Sequence, residues 1–497
     1  MNEPSSLIPP LAVESVGRDI DDQLYERLAD LMPGHAPTDS SGYKPGLASS
    51  WEQVDSVTWR FHLRANARWS DGPPVTAGDV VFSFTAYADS VLDALARSTI
   101  AGHITATAAD STTVLVHFDH AYAEQLYDAT WNVRVLPAHI WGKIPTSDWA
   151  ADTAAAHLVG SGPFKLARWT RGEVVELVPS TTGAPPVPAL AHLLWRFVPD
   201  PDAALNLVLA HEADLLETLT TPERAARVEA DSALAVIAYP SAAYGFVGYH
   251  LAGNGPLSDR RVRRALNMAV DRAAIATQLF GAGAKAPPGP ISQVLWLWSD
   301  SIHTLPFDTA EAAHQLDQAG WKAGPDGVRR SGARKLAFDI LVPGTSTVRR
   351  RAAEALQERW RQVGAAVTVT AVDFPVFQQR LATGKFDAYV ATYLDEPSPR
   401  GLADQWTKAG IGALNFSGYA SPAFDRLLAS AGAEPNTAIA RTKWWEALDT
   451  LNADAPALFL FAPVNRAAVT RRLGPISINP WSWLSGARGW KLSDGGQ

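Results

Sequence analysis

The sequence predicts an α/β protein with at least two lobes, and three observations support this class. The chain has 497 residues, which is more than one ordinary hydrophobic core accommodates. Hydrophobic residues make up 47% of it and charged residues 19%, a balance typical of a folded protein with little disorder. Strand patterns alternate with helix patterns in its second half. That alternation favours a parallel sheet with helices packed on its faces.

The alternating region predicts a βαβαβ arrangement. The strands are "KLAFDILV", "AVTVTAV" and "FDAYVATY", and the helices between them cover 348–363, closed by Gly364, and about 374–381. Such units form right-handed crossovers, and ligands of open α/β sheets lie beyond the carboxyl ends of the strands. The loop "LDEPSPRG", residues 394–401, follows the last strand and is the first predicted site.

The stretch "WRFHLRANARWSDGPPVTAGDVVFSF" predicts a strand, a turn and a capped helix. Apolar and polar residues alternate from 59 to 64, as in a half-buried strand. Thr76 and Asp79 have the spacing of a capping box, and Val75 and Val80 occupy the two positions of a hydrophobic staple. Since the stretch contains no reactive centre, we interpret it as scaffold.

A further helix is predicted from "SDRRVRRALNMAVDRAAIATQLFG", with Ser258 as its N-cap and Gly281 at its end. It contains a group of four basic residues, Arg260, Arg261, Arg263 and Arg264. We interpret this group as a solvated basic face rather than an anion site, because the net charge of the chain is −8 and no aromatic residues are interleaved with it.

Composition and missing motifs exclude several classes of function. The acidic net charge argues against nucleic-acid or anionic-membrane partners. The absence of cysteine excludes disulfides, cysteine-ligated metals and thiol nucleophiles. The nucleophile-elbow, Walker A, dinucleotide-binding and zinc-hydrolase motifs are absent. Five histidines show no metal-ligand spacing: His103, His117, His120, His139 and His211. We therefore predict no catalytic residue, cofactor or metal, with a carboxylate-dependent hydrolase as the distant alternative.

No window of the sequence is apolar enough to span a membrane. The first ten residues, "MNEPSSLIPP", lack the basic and apolar regions of a signal peptide. An exported protein whose leader was replaced by Met1 would have this pattern, and so would a cytoplasmic protein.

Seven separated stretches resemble the extracellular solute-binding proteins of family 5, the oligopeptide, dipeptide and nickel class of ABC-transporter receptors. In chain order they are "LYERLADL", "PGLASSWE", "FHLRANARWSDGPPVTAGDVVFSF", "GSGPFKLARW", "LNLVLAHEADLL", "SDRRVRRALNMAVDR" and "NFSGYASPAFDRLL". Together they span most of the chain in the order of the family.

The resemblance implies a two-lobe periplasmic-binding-protein-like fold (type II, cluster C) with an inserted subdomain. Lobe I would combine 1–41, 160–243 and 465–497, the inserted subdomain would be 42–159, and lobe II would be 244–464. The implied function is capture of a small, peptide-like solute between the lobes and its delivery to an ABC permease. The implied protein is a monomer, located in the periplasm or outside the cell and associated with the envelope.

The resemblance also implies a site at Asp395. In oligopeptide receptors of the family an Asp shortly before a Glu-Pro or Asp-Pro anchors the α-ammonium group of the peptide, and "YLDEPSP" resembles that stretch. Family members often have Trp three residues earlier, where this chain has Thr392. The alternative for Asp395 is a loop-capping role, and a ligand role is weaker for Glu396.

Nine other residues are candidate ligand contacts, each with structural packing or bracing as the alternative. They are Tyr244, Phe246, Trp296, Trp298, Tyr393, Trp406, Asn415, Trp481 and Trp483. Flat aromatic faces suit sugar rings, aromatic side chains or organic cations. An oligosaccharide or a metal chelate is therefore the alternative solute. A regulatory sensor with the same fold is a further alternative, although the sequence has no fused DNA-binding segment.

Overall fold

The computed structural model describes residues 3–219, 221–474 and 476–493. It divides into two compact units. Unit 1 comprises Met1–Tyr239 and Arg466–Gln497, and unit 2 comprises Pro240–Asn465. The finer division into two lobes and an inserted subdomain stays a prediction.

The first half of the chain contains short helices and strands. In order they are α1 (Ser15–Leu24), β1 (Ala29–Leu31), β2 (Tyr43–Pro45), β3 (Ala48–Asp55), β4 (Thr58–Leu63), α2 (Ala77–Ala88), α3 (Arg97–Ile100), β5 (Ile104–Ala108), β6 (Thr113–Phe118), α4 (Gln125–Thr130), α5 (Ala138–Trp141), β7 (Phe164–Thr170), β8 (Val174–Pro179), β9 (Leu193–Arg196), α6 (Pro201–Leu209), β10 (Leu215–Leu216), α7 (Pro222–Glu229) and β11 (Leu234–Pro240).

The second half continues with longer helices. In order its elements are β12 (Ala243–Tyr249), α8 (Arg260–Met268), α9 (Arg272–Phe280), α10 (Thr309–Gln318), β13 (Lys322–Ala323), β14 (Arg329–Ser331), β15 (Arg334–Lys335), β16 (Ala337–Pro343), α11 (Thr347–Gln362), β17 (Ala366–Val372), α12 (Phe374–Ala382), β18 (Ala388–Leu394), α13 (Leu402–Trp406), α14 (Pro422–Gly432), α15 (Thr437–Asp454), β19 (Ala457–Phe461) and β20 (Val464–Thr470).

Unit 2 is built on a five-stranded sheet with the order β17-β16-β18-β12-β19. Strands β17 and β18 both run parallel to β16, whereas β12 is antiparallel to β18 and β19. The predicted βαβαβ arrangement is therefore confirmed. Apolar residues of the strands pack with those of helices α8 and α11 in one core, in which Trp360 is fully buried. This packing fixes the position of the carboxyl end of β18, where the predicted site loop begins.

Unit 1 contains three larger sheets, ordered β3-β4-β6-β5, β7-β8-β9 and β10-β20-β11. The predicted capping box at the start of α2 is confirmed: Asp79 Oδ2 accepts the backbone N–H of Thr76 at 2.8 Å. Gly160 packs so closely on the end of α1 that a Cβ atom there would lie 1.8 Å from the carbonyl oxygen of Leu24. The "GSGPF" stretch thus serves helix packing.

The stretch predicted as one helix forms two, α8 and α9, separated at residues 269–271. Asp259 caps α8 in place of the predicted Ser258, and Asp271 caps α9. The prediction of a single helix is wrong because Asp271 provides a second N-cap inside a stretch that keeps its apolar periodicity. Gly281 ends α9 as predicted, with a φ of 76°.

Arg263 departs from the predicted solvated face. It is only 6% exposed, and its guanidinium group donates to four backbone carbonyls, including those of Asp454 and Ala455 at the end of α15. A cation at a helix C-terminus is favourable because the last carbonyls there have no partner within the helix. Arg260 and Arg261 are exposed, as expected.

Candidate functional site

The predicted site loop begins where β18 ends, at the carboxyl end of the parallel strands. Asp395 follows β18 directly, and its backbone N–H donates to the carbonyl of Ala242 at 2.8 Å. Its Oδ2 atom accepts the backbone N–H of Ser292 at 2.5 Å. The neighbouring Leu394 is 73% exposed. Two backbone anchors therefore hold a carboxylate beside exposed apolar surface in unit 2.

The carboxyl group of Asp395 has no compensating positive charge among the described residues. No cation lies within ion-pair distance of it in the part of the chain that the structure describes. Burial raises the pKa of this partly exposed group to about 7, although the hydrogen bond from the backbone N–H of Ser292 lowers it. The ionised form is therefore costly without a ligand and would be stabilised by a cation.

A hydrogen-bonded aromatic layer lies in the core near Asp395. Tyr244 and Phe246 are fully buried and Trp406 is 1% exposed. The hydroxyl group of Tyr244 donates to Gln405 Oε1 at 2.5 Å and accepts the indole N–H of Trp406 at 3.2 Å. Burial, and next the charge of Asp395, raise the pKa of Tyr244. The charge of Asp395 therefore acts on this layer, although the side chains of the layer are covered by protein.

Tyr393 and Asn415 have different environments. Tyr393 is partly exposed, and its hydroxyl group donates to the carbonyl of Leu414 at 2.6 Å. Asn415 is 2% exposed and donates to the carbonyls of Thr407 and Tyr419, both at 2.8 Å. The geometry of Asn415 is that of a loop brace, whereas the ring of Tyr393 retains accessible surface.

Trp296 and Trp298 lie in the long loop between α9 and α10, which also contains Ser292. Trp296 is 8% exposed, and the guanidinium carbon of Arg441 lies 5.4 Å from the centre of its ring. Trp298 is partly exposed, with the ammonium group of Lys285 5.9 Å from its ring centre. Trp298 is thus the more accessible of the two.

Trp481 and Trp483 belong to unit 1, whereas the other eight candidate residues belong to unit 2. Trp481 is partly exposed and Trp483 is 8% exposed. Near them, Asp22 forms ion pairs with Arg134 at 2.6 Å and Arg27 at 2.9 Å. Burial alone would raise the pKa of Asp22, yet the two guanidinium groups lower it. This ionic cluster had no signal in the sequence.

Two partners of the site were also missed in the sequence. Ser292 lies 103 positions before Asp395, and Gln405 lies 161 positions after Tyr244. Neither belongs to a periodic pattern or a motif, so only the folded chain brings them to the site.

The described residues form neither a cluster of metal ligands nor a membrane-spanning helix. No group of three or more histidine or carboxylate side chains in the described ranges could hold a metal ion. None of the helices found in those ranges is long and apolar enough to cross a membrane.

Comparison with known proteins defines the class to which this chain belongs. The family described as bacterial extracellular solute-binding proteins, family 5 (middle region), matches residues 42–412. The chain therefore belongs to the bacterial extracellular solute-binding proteins of family 5. This confirms the family predicted from the seven stretches, and it makes the chain a member of a family of solute receptors rather than of enzymes.

Individual relatives agree with this assignment over nearly the whole chain. Protein XP55 of Streptomyces lividans is 28% identical over 463 residues, which cover 92% of this chain and 82% of that protein. The structure of the oligopeptide-binding protein AppA of Bacillus subtilis with a nonapeptide matches with a TM-score of 0.75 at 22% identity, covering 99% and 97% of the two chains. NikZ of Campylobacter jejuni with Ni(L-His) matches at 0.78 and 20% identity, covering 98% and 97%. The predicted two-lobe fold class is confirmed.

Proposed function

We propose that the protein captures a peptide-like solute whose ammonium group binds Asp395. The observation that carries this proposal is the carboxylate of Asp395 at the end of the parallel strands, which forms no ion pair with any described residue. A cation bound there would form a charge-assisted bond with a carboxyl group whose ionised form burial disfavours, and such bonds are strong. The nonapeptide bound by the similar AppA supports a peptide as the solute.

The candidate residues divide into contacts and supports. Asp395, Tyr393 and Trp298 are partly exposed in unit 2, and we assign them direct contact with the solute. Tyr244 and Trp406, buried beneath them with Phe246, hold the site in place. Trp296 and Asn415 brace its loops, and Trp481 and Trp483 stay candidate contacts in unit 1.

A metal chelate is the second candidate solute, because the similar NikZ was crystallised with Ni(L-His). The metal would arrive inside the ligand rather than bind to a preformed protein site. An oligosaccharide is a further candidate because the chain has 18 Trp residues, whose flat faces suit sugar rings.

The protein would act outside the cytoplasm, in the periplasm or at the cell surface. It would deliver its solute as a monomer to the membrane subunits of an ABC permease and would not convert it. Membership of an extracellular solute-binding family supports this location and role.

Asp395→Asn tests the proposal, because it keeps the shape of the side chain and removes its charge. The probe is a library of unblocked pentapeptides, from which native mass spectrometry selects binders for calorimetry. We expect affinity for the selected peptides to fall about 30- to 4,000-fold, which corresponds to about 2–5 kcal/mol.

Two controls accompany this measurement. N-acetylated versions of the same peptides should lose affinity for the original protein and be almost indifferent to the substitution. Asp373→Asn removes an exposed carboxylate of unit 2 that makes no capping bond, so it should leave affinity unchanged. Equal affinity of the original protein and the Asp395→Asn variant for the unblocked peptides would contradict the proposal.

A further inference from the structure

Unit 1 contains a cavity of about 860 Å³ beside strands β9 and β10. All four residues of β9 and both residues of β10 line it, together with residues of α6 and of the C-terminal segment. Its volume falls in the range of small-molecule sites, roughly 300–1,000 Å³. Every lining residue belongs to unit 1, so the cavity is separate from Asp395 in unit 2.

The basic side chains of the lining already have acidic partners. The charged or titratable residues that line the cavity are Arg168, Glu173, His192, Arg196, Glu212, Asp214 and Glu217. Arg168 and His192 both contact the carboxylate of Glu176, at 3.2 and 2.9 Å. Arg196 lies 3.6 Å from Glu212. An anion in the cavity would therefore compete with carboxylates for each of these groups.

The acidic side chains of the lining are only partly paired. Asp214 lies 3.5 Å from Arg472, but the carboxylates of Glu173 and Glu217 form no ion pair with any described residue. Glu173 is exposed, whereas Glu217 is partly buried at the end of β10. Its backbone carbonyl accepts the hydroxyl group of Tyr239 at 3.1 Å. Burial raises the pKa of Glu217, so a cation beside it would stabilise its ionised form.

A second carboxylate, that of Asp19 on α1, lies near Glu217. Burial, and next the negative charge of Glu217, raise the pKa of Asp19. The guanidinium group of Arg134 lowers it, but that group is ion-paired with Asp22 at 2.6 Å. The indole N–H of Trp483 lowers it too, yet no described acceptor lies within hydrogen-bond distance of this buried N–H. Negative charge and an unsatisfied donor therefore meet at one wall of the cavity.

Three tryptophans supply the flat apolar part of the lining. Trp195 lies on β9, and Trp483 and Trp490 lie in the C-terminal segment. Each is 6–8% exposed. Aromatic faces bind apolar groups and attract cations, and a carboxylate beside them fixes the position of the charge. The combination is suited to an organic cation.

We propose that this cavity binds an organic cation whose ammonium or guanidinium group pairs with Glu217 and whose apolar body lies against the three tryptophans. An oxygen atom next to the cationic group would accept the N–H of Trp483. The site is additional to the one proposed at Asp395 and does not depend on it.

The test titrates 2-amino-1-phenylethanol, which carries an ammonium group, a hydroxyl group and a phenyl ring. The protein is the full chain with Asp395→Asn, because that substitution removes the carboxylate proposed to bind ammonium groups in unit 2. By calorimetry we expect a Kd below about 1 mM. The matched neutral probe is 1-phenyl-1,2-ethanediol, in which a hydroxyl group replaces the ammonium group. It should bind at least about tenfold more weakly.

Further substitutions in the same background locate the site. Glu217→Gln keeps the shape of the side chain and removes its charge, so affinity for the amine should fall at least about tenfold. Glu173→Gln removes the exposed carboxylate and should change affinity less than about twofold. Trp483→Phe keeps a ring but removes the N–H, and should weaken binding about threefold or more. Saturation with the amine should slow amide hydrogen exchange in 193–196 and 215–217.

Three results would overturn the proposal. Equal affinity for the amine and the diol would show that the cavity does not recognise the cation. Amine affinity that Glu217→Gln leaves unchanged would remove this carboxylate from the site. Exchange protection confined to unit 2 would place the amine elsewhere. These results leave the proposal at Asp395 untouched, because its carboxylate is absent from every protein compared.

Discussion

At the scale of single residues, Asp395 shows what the sequence can and cannot predict. Its position follows from a strand pattern and a short loop, both of which are local. Its partner Ser292 comes from a loop 103 positions away, so no local pattern could indicate it. The lack of a neighbouring cation is equally a property of the folded chain, because it depends on which side chains the fold brings near. The sequence identified the carboxylate, and the structure shows why its ionised form would be stabilised by a cation.

The pH dependence of solute binding follows from the pKa of Asp395, which burial raises to about 7. An ammonium group binds the ionised carboxylate, so affinity should fall as the pH decreases through 7. By calorimetry, unblocked peptides selected as binders should bind about 20-fold more weakly at pH 5.5 than at pH 7.4. Above pH 8 affinity should fall again, because the α-ammonium group of the peptide loses its proton.

The Asp395→Asn variant provides the control for this pH profile. It has no carboxyl group to titrate, so the decrease on the acid side should disappear while the decrease above pH 8 remains. If the variant kept the acid-side decrease unchanged, another group would be responsible for it.

At the scale of elements, caps decide where the sequence predicts helices correctly. The start of α2 was predicted because Thr76 and Asp79 form a recognisable local pair. The break between α8 and α9 was missed because Asp271, an equally good cap, lies within an uninterrupted apolar periodicity. Arg263 was misassigned to solvent because its acceptors, the carbonyls at the end of α15, lie about 190 positions away. Local signals were thus sufficient only where the partner was local.

The cap of α2 has a larger role than its motif suggests. Besides the two hydrogen bonds from Thr76 to Oδ2, Asp79 accepts the backbone N–H of Ala138 on Oδ1 at 3.0 Å. Asp79 is 5% exposed. Asp79→Ala should therefore destabilise unit 1 by about 2–4 kcal/mol, because it removes a cap and leaves buried donors unpaired.

The measurement is the thermal unfolding midpoint, with Thr85→Ala on the exposed side of the same helix as the matched control. That control should stay within about 0.5 kcal/mol of the original protein. If Asp79→Ala and Thr85→Ala were equally stable, the hydrogen bonds of Asp79 to Thr76 and Ala138 would contribute no measurable stability.

At the scale of the whole molecule, the chain passes between the two units twice, after Tyr239 and before Arg466. Such double connections let a few residues absorb a rotation while each unit stays rigid. A solute that prefers the closed arrangement shifts the population toward it by the difference between its affinities for the two states.

Small-angle X-ray scattering should therefore give a smaller radius of gyration when a selected unblocked pentapeptide saturates the protein. At the same peptide concentration Asp395→Asn should keep the ligand-free radius, because the peptide no longer occupies the site. A radius that is unchanged in the saturated original protein would argue against capture by closure, even if calorimetry confirms binding at Asp395.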